Sequence, residues 1–216
     1  MSSTLVVVRH GESDWNLKNL FSGWKDIHLS VNGKKEARRA GQLLKREGID
    51  FDIAFTSGLI RAWKTLNFIL DEMDLEEFGH EEGLITISTK QLNERNYGDL
   101  TGLNKDDAVE KWGQEQVTLW RRSYETRPPG GESLKDTAER VIPYYRKYIH
   151  PRLLREENVI ISAHANSLRA LIMYLEKMTA EEISKFELPT ARPIIYYLDD
   201  DAQIQDKKVI DQKAKA

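Results

Sequence analysis

Two histidines stand in matching local settings, and imidazole is the side chain best suited to accept and return a group near neutral pH. His10 closes the run Leu5-Val6-Val7-Val8-Arg9 and is followed by Gly11-Glu12. His164 closes Val159-Ile160-Ile161-Ser162-Ala163 and is followed by Ala165-Asn166-Ser167. An imidazole beside a guanidinium, as in Arg9-His10, suits attack on a phosphoryl group while the cation holds its oxygens. The other histidines, His28, His80 and His150, lie in polar stretches and read as surface or loop residues.

Each histidine needs an element to aim it. A short run of branched aliphatic residues reads as a buried parallel strand, and open α/β sheets bind ligands at the carboxyl ends of such strands. Leu168, Leu171, Ile172 and Leu175 recur at helical spacing after His164, so the chain holds two strand–histidine units. If the two strands are neighbours, both histidines reach one crevice. Further strands are expected at 52–56, at the weakly alternating edge 85–92 and at 194–198. Helices are expected from the Ser30 cap to Glu47, after a Ser57 cap, and from a Ser133 capping box to Tyr148 with a kink at Pro143. Residues 74–83 read as an acidic surface loop and 92–120 as a loop and helical segment. Asp199-Asp200-Asp201 reads as a solvated turn rather than a metal site. The expected fold is a three-layer α/β sandwich, with a mostly parallel central sheet flanked by helices. One domain spans 1–216, with a polar tail from about 205 that is expected to move.

Composition narrows the function. With 216 residues the chain can bury a substantial core. No apolar stretch approaches the roughly 18 residues of a membrane span, and Met1-Ser2-Ser3-Thr4 carries no basic leader. Cysteine is absent, which excludes disulfides and thiolate metal sites and fits a reducing compartment, here taken as the cytoplasm. The formal net charge is −3, so no global basic field points to nucleic acid. An anion site must come from local clustering. Besides Arg9, the candidates are Arg61 after the second strand, Lys105 in a loop and the adjacent pair Arg121-Arg122, though each of these four alone suits a surface ion pair.

The longer pattern is more specific. Arg9-His10-Gly11-Glu12-Ser13-Asp14-Trp15-Asn16 resembles the histidine phosphatase superfamily. Phe21-Ser22-Gly23-Trp24, Leu92-Asn93-Glu94-Arg95-Asn96-Tyr97-Gly98, Gly102-Leu103-Asn104-Lys105, Trp120-Arg121-Arg122-Ser123-Tyr124 and Asn166-Ser167-Leu168-Arg169-Ala170 are similar to the cofactor-dependent phosphoglycerate mutases within it. The resemblance implies an isomerase of glycolysis and gluconeogenesis that interconverts 3-phosphoglycerate and 2-phosphoglycerate. It implies His10 as the phosphorylated residue, Glu94 as acid/base and His164 as stabiliser of the phosphoryl group in transit, expected as a cation. Arg9, Arg61, Asn16, Ser22, Gly23, Ala165 and Asn166 then hold the phosphoryl group. Tyr97, Lys105, Arg121 and Arg122 contact the rest of the substrate, including its carboxylate. The implied cofactor is 2,3-bisphosphoglycerate, which phosphorylates His10, and no metal is called for when guanidinium groups carry the charge. Partners are small phosphoglycerates, with neither nucleic acid nor membrane, and the state is a monomer or small homo-oligomer.

Two alanines depart from the family pattern, Ala165 and Ala191, where glycine is usual; a left-handed backbone there would cost alanine about 1 kcal/mol. Arg192 replaces an aliphatic residue and reads as a surface side chain. The alternatives are a phosphatase passing the phosphoryl group to water, a bisphosphoglycerate mutase, or a non-catalytic binding protein.

Overall fold

In a computed structural model of the protein, residues 3–75 and 84–211 are described. Most of the expected acidic loop at 74–83, with His80, lies outside them. The strands are β1 (Thr4–Arg9), β2 (Ile53–Ser57), β3 (Ile85–Thr89), β4 (Val159–Ala163), β5 (Ile194–Leu198) and β6 (Ile204–Val209). The helices are α1 (Asp14–Leu17), α2 (Val31–Arg46), α3 (Ile60–Glu72), α4 (Lys105–Trp112), α5 (Gln114–Arg122), α6 (Leu134–Tyr144), α7 (His150–Leu153), α8 (Ala165–Leu175) and α9 (Ala180–Lys185).

The strands form one six-stranded sheet in the order β3-β2-β4-β1-β5-β6. The first four pair in parallel and β5 and β6 are antiparallel. Leu5 to Val8 are fully buried because both sheet faces are covered. Leu5 and Val7 face a core with Val141 of α6, Leu153 of α7, and Leu168 and Leu171 of α8. Val6 and Val8 face a second core with Leu43 and Leu44 of α2, and Leu66 and Ile69 of α3. This is the three-layer sandwich expected from strands alternating with helical patterns.

The register decides where the chemistry sits. Leu5 pairs with Val159 and Arg9 with Ala163, and the His10 amide extends the ladder to the Ala163 carbonyl at 2.9 Å. The next residues of both strands, His10 and His164, are thereby brought side by side at the carboxyl edge. Residues 90–133 pack over this edge through a satellite core of Leu100, Ala108, Val117 and Trp120, into which Phe21 from the loop after β1 inserts.

Several local details differ from expectation. The Ser57 hydroxyl does not cap α3: Leu59 is the N-cap, without a side-chain bond of its own, and the Ile60 amide donates to Asp26 Oδ1 at 2.7 Å instead. The Ser133 capping box is present, but the regular helix stops at Tyr144, one residue past Pro143, and a π-helical turn, Tyr145–Ile149, continues it. Proline lacks the amide that regular pairing needs, and a wider turn absorbs the mismatch. The polar stretch from about 205 is not a free tail at its start: residues to Val209 form the edge strand β6, and the Ile210 amide donates to the Pro193 carbonyl at 3.0 Å.

Candidate active site

The site is built from β1 and β4 outward. His10 is buried, and its Nδ1 lies 2.7 Å from the Gly11 carbonyl. A carbonyl only accepts, so Nδ1 carries the ring proton and Nε2 keeps its lone pair. The His10 and His164 rings stand 5.0 Å apart at 61°. Gly11 is demanded by close approach: a Cβ there would meet the Gly33 carbonyl oxygen at 2.3 Å, where α2 begins. Glu12 secures the same junction, accepting from the Ser30 hydroxyl at 2.7 Å.

His164 is fully buried, and its Nε2 lies 2.7 Å from Ser57 Oγ. That hydroxyl also accepts the Leu59 amide at 3.1 Å, which fixes the ring plane from β2. Burial, then the charges of Arg61 and Arg9, push His10 well below the usual histidine range. Burial, then Arg61 and His10, do the same to His164. Both shifts favour the neutral rings while the site holds no anion. The cationic His164 expected from sequence belongs to the state with a phosphoryl group opposite the ring, whereas without one burial and the nearby guanidiniums favour the neutral form.

Glu94 is buried, and its Oε1 accepts two backbone amides, Arg95 N–H at 2.8 Å and Asn166 N–H at 3.0 Å. Its carbonyl accepts from Trp24 Nε1 and from Arg140 Nη2, and Arg140 is itself clamped by both carboxylate oxygens of Glu132. Four donors thus hold Glu94, two on its carboxylate and two on its backbone carbonyl. Arg61 donates through Nη1 to the Lys25 carbonyl and through Nη2 to the Gly23 carbonyl, both at 2.9 Å. Burial lowers it to about 10, against the pull of Glu94 and Asp26, so it stays charged at neutral pH. Arg9 donates through Nη1 to the Leu188 carbonyl at 2.8 Å. Arg9 Nε, Arg61 Nε and Ser22 Oγ are buried without a protein partner, a set of donors that an anion can satisfy. Asn16 Oδ1 accepts from the Ser13 amide and hydroxyl, which leaves its Nδ2 as the free donor.

Around these groups lies a cavity of about 150 Å³. Of the site residues read from sequence, His10, Glu94, Arg9, Asn16, Ser22, Gly23, Arg61, Tyr97, Lys105, Arg121, Arg122, Ala165 and Asn166 line it; His164 lies beneath, against His10. Burial pushes the Tyr97 phenol up, but the Arg95 charge and hydrogen bonds from Arg95 and Asn166 outweigh it and hold it below its usual range. Burial, then Arg121, lower Lys105. Ala165 is the first residue of α8 and has no positive φ, so its backbone does not call for glycine; Ala191 does, at φ +46°. Arg192 is half-buried rather than exposed and does not line the cavity. Among the described residues no group of three or more His, Cys, Asp or Glu is arranged to hold a metal ion, and no helix is long and apolar enough to cross a membrane.

Sequence reading missed Arg169, Ser57, Arg140 and the wall formed by Phe186, Glu187 and Leu188. Arg169 donates to Asn166 Oδ1 at 3.1 Å. Its position three residues after Asn166 on one helix face was a usable signal. Glu187 offered none, since only tertiary folding brings its loop to the cavity.

A sequence model of the histidine phosphatase superfamily (branch 1) matches residues 5–208. The chain belongs to that superfamily. It is 58% identical over 210 residues to the 2,3-bisphosphoglycerate-dependent phosphoglycerate mutase of Brucella melitensis biotype 2, covering 97% of this chain and 99% of the relative. The enzyme of the same name from Brucella abortus (strain S19) matches at the same identity and coverage. Within the superfamily the chain thus falls in the phosphoglycerate mutase family. Among solved structures, mycobacterial hydrolase 1 superposes with a TM-score of 0.77 at 22% identity, over 100% of both chains. The mycobacterial glucosyl-3-phosphoglycerate phosphatase gives 0.76 at 22% identity, over 97% of both. These two share the fold of this chain.

Proposed function

We propose that this protein is an isomerase interconverting 3-phosphoglycerate and 2-phosphoglycerate through a phosphohistidine at His10, in glycolysis and gluconeogenesis. One observation carries the reading: a single cavity joins a reactive histidine to two separate sets of cations. Arg9 and Arg61 flank His10, while Lys105, Arg121 and Arg122 line the same cavity from the covering segment. A substrate with a phosphate and a carboxylate calls for two such sets, whereas a simple phosphate ester calls for one. The 58% identity to enzymes bearing the mutase name supports the same conclusion.

The unpaired donors Arg9 Nε, Arg61 Nε and Ser22 Oγ, with the surrounding cations, fit a polyanion such as 2,3-bisphosphoglycerate. When bound, that cofactor supplies the phosphoryl group that charges His10. Each residue then has a task. His10 Nε2 accepts and returns the phosphoryl group. Arg9, Arg61, Asn16, Ser22, Gly23 and Asn166 hold its oxygens, and Ala165 shapes the wall beside them. His164 stabilises the group in transit, and an arriving phosphoryl dianion favours its protonated form. Glu94, lodged on two amides, takes the hydroxyl proton of the acceptor and gives it back. Tyr97, Lys105, Arg121 and Arg122 hold the carboxylate end. A charge pair at 4 Å in such a site is worth roughly 4 kcal/mol at an effective dielectric of 20, so a few contacts outweigh the overall charge. Water must be kept from phospho-His10, since its attack makes the enzyme a phosphatase.

On this reading the chain works as one domain in the cytoplasm, as a monomer or small homo-oligomer acting on small phosphoglycerates without a metal. The test is conversion of 3-phosphoglycerate to 2-phosphoglycerate with and without 2,3-bisphosphoglycerate. Conversion that depends on the bisphosphate and vanishes in His10→Ala is expected; steady phosphate release without isomerisation would replace the mutase by a phosphatase.

A further inference from the structure

The cavity carries one carboxylate that the proposed reaction does not use. Glu187, on the loop after α9, forms an ion pair with Arg122, the last residue of α5, and both side chains line the cavity. The pair therefore bridges two walls. The Glu187 side chain is 70% exposed and that of Arg122 33%. The other lining carboxylate, Glu94, is already committed to two backbone amides.

Cations crowd this end of the cavity. Lys105 is lowered by burial and then by Arg121; Arg169 is lowered to about 10 by burial, then by Arg95 and Arg122. A carboxylate on Arg122 relieves part of that repulsion while no ligand is present. An anionic ligand relieves it in the same way and needs the same guanidinium. We propose that Glu187 is a built-in competitor for the anion subsite, holding Arg122 in the unliganded protein and turning out to solvent when the carboxylate end of the ligand takes its place. This rests on the reading of Arg122 as a substrate contact. Because Glu187 is largely exposed, water replaces its partner readily, and the pair tunes affinity without blocking entry. The benefit lies in release: a site with this many cations holds a polyanion too long unless something competes for it.

The experiment compares the wild type with Glu187→Gln, Glu187→Ser and Glu187→Asp. It measures the Kd of 3-phosphoglycerate alone by calorimetry, and KM and kcat with 2,3-bisphosphoglycerate added, at low and high salt. Exposed ion pairs shift equilibria by roughly two- to five-fold. Glu187→Gln and Glu187→Ser are expected to tighten Kd and lower KM by about that factor, with the gain in KM rather than kcat and shrinking as salt screens the pair. Glu187→Asp is expected to stay close to the wild type. Unchanged or weakened binding in Gln and Ser variants that melt like the wild type would overturn the proposal. Tighter binding in a protein that does not isomerise would leave the competitor standing and remove the mutase reading. Isomerisation with binding unmoved would do the reverse, and no binding of 3-phosphoglycerate to the wild type would remove both.

Discussion

His10 owes its free lone pair to a neighbour: the Gly11 carbonyl accepts a hydrogen bond from Nδ1–H, which leaves Nε2 as the unprotonated ring nitrogen. The same logic of committed atoms runs through the site. Glu94 Oε1 is fixed by two amides, so the carboxylate cannot rotate away from the cavity without breaking both. Glu94→Gln keeps the shape and removes the base, and should lower kcat about 10²- to 10⁴-fold with a small change in KM, as steady-state kinetics will read. Ser57 holds His164 from a different strand. Ser57→Ala should reduce kcat by roughly tenfold, the effect of losing about one hydrogen bond's worth of positioning, while 3-phosphoglycerate binding measured by calorimetry stays near that of the wild type. At this scale the sequence disclosed the residues that meet at the site, because His10, His164, Glu94 and the arginines sit in contiguous motifs. It did not disclose Ser57 as a support or Glu187 as a wall residue. The first was hidden behind a plausible capping role, and the second depends on where a loop folds back.

The parallel register of β1 and β4 turns two distant motifs into one site, since pairing Arg9 with Ala163 leaves the two histidines adjacent. The strands were legible because buried parallel strands read as continuous aliphatic runs. Strand order and the antiparallel β5 and β6 were not, because local pattern carries no information on which strand lies beside which. The strand β6 reads as a tail since its burial is slight and its side chains are polar. Ala191 shows an element working against its residue. It adopts φ +46° so that its amide can donate to the Arg9 carbonyl at 2.9 Å, tying the loop before β5 to the end of β1. A left-handed alanine is strained by roughly 1–2 kcal/mol, partly offset by the extra freedom glycine has when unfolded. Ala191→Gly should therefore stabilise the fold by about 0.5–1 kcal/mol, seen as a higher midpoint in urea denaturation with an unchanged slope.

For the whole molecule, two imidazoles buried neutral beside two guanidiniums make stability depend on pH. Both are held below their ordinary value of 6.5, so between the folded and unfolded values the unfolded chain binds the extra protons. Their contribution is complete above about pH 6.5 and is lost as the pH falls through the folded values. The expected slope is up to about 1.4 kcal/mol per pH unit for each histidine. Denaturation series between pH 7.5 and 5 should show falling stability, less steeply in His10→Gln. The net charge of −3 does not oppose anion capture, because the cations are concentrated in one cavity and distant charges are screened. The most direct measurement is to incubate the protein with 2,3-bisphosphoglycerate labelled in its phosphoryl groups, quench in alkali and map the label. Label on the peptide that carries His10, discharged by added 3-phosphoglycerate and absent from His10→Ala, is the predicted result; label on another residue, or none while isomerisation proceeds, would contradict the account.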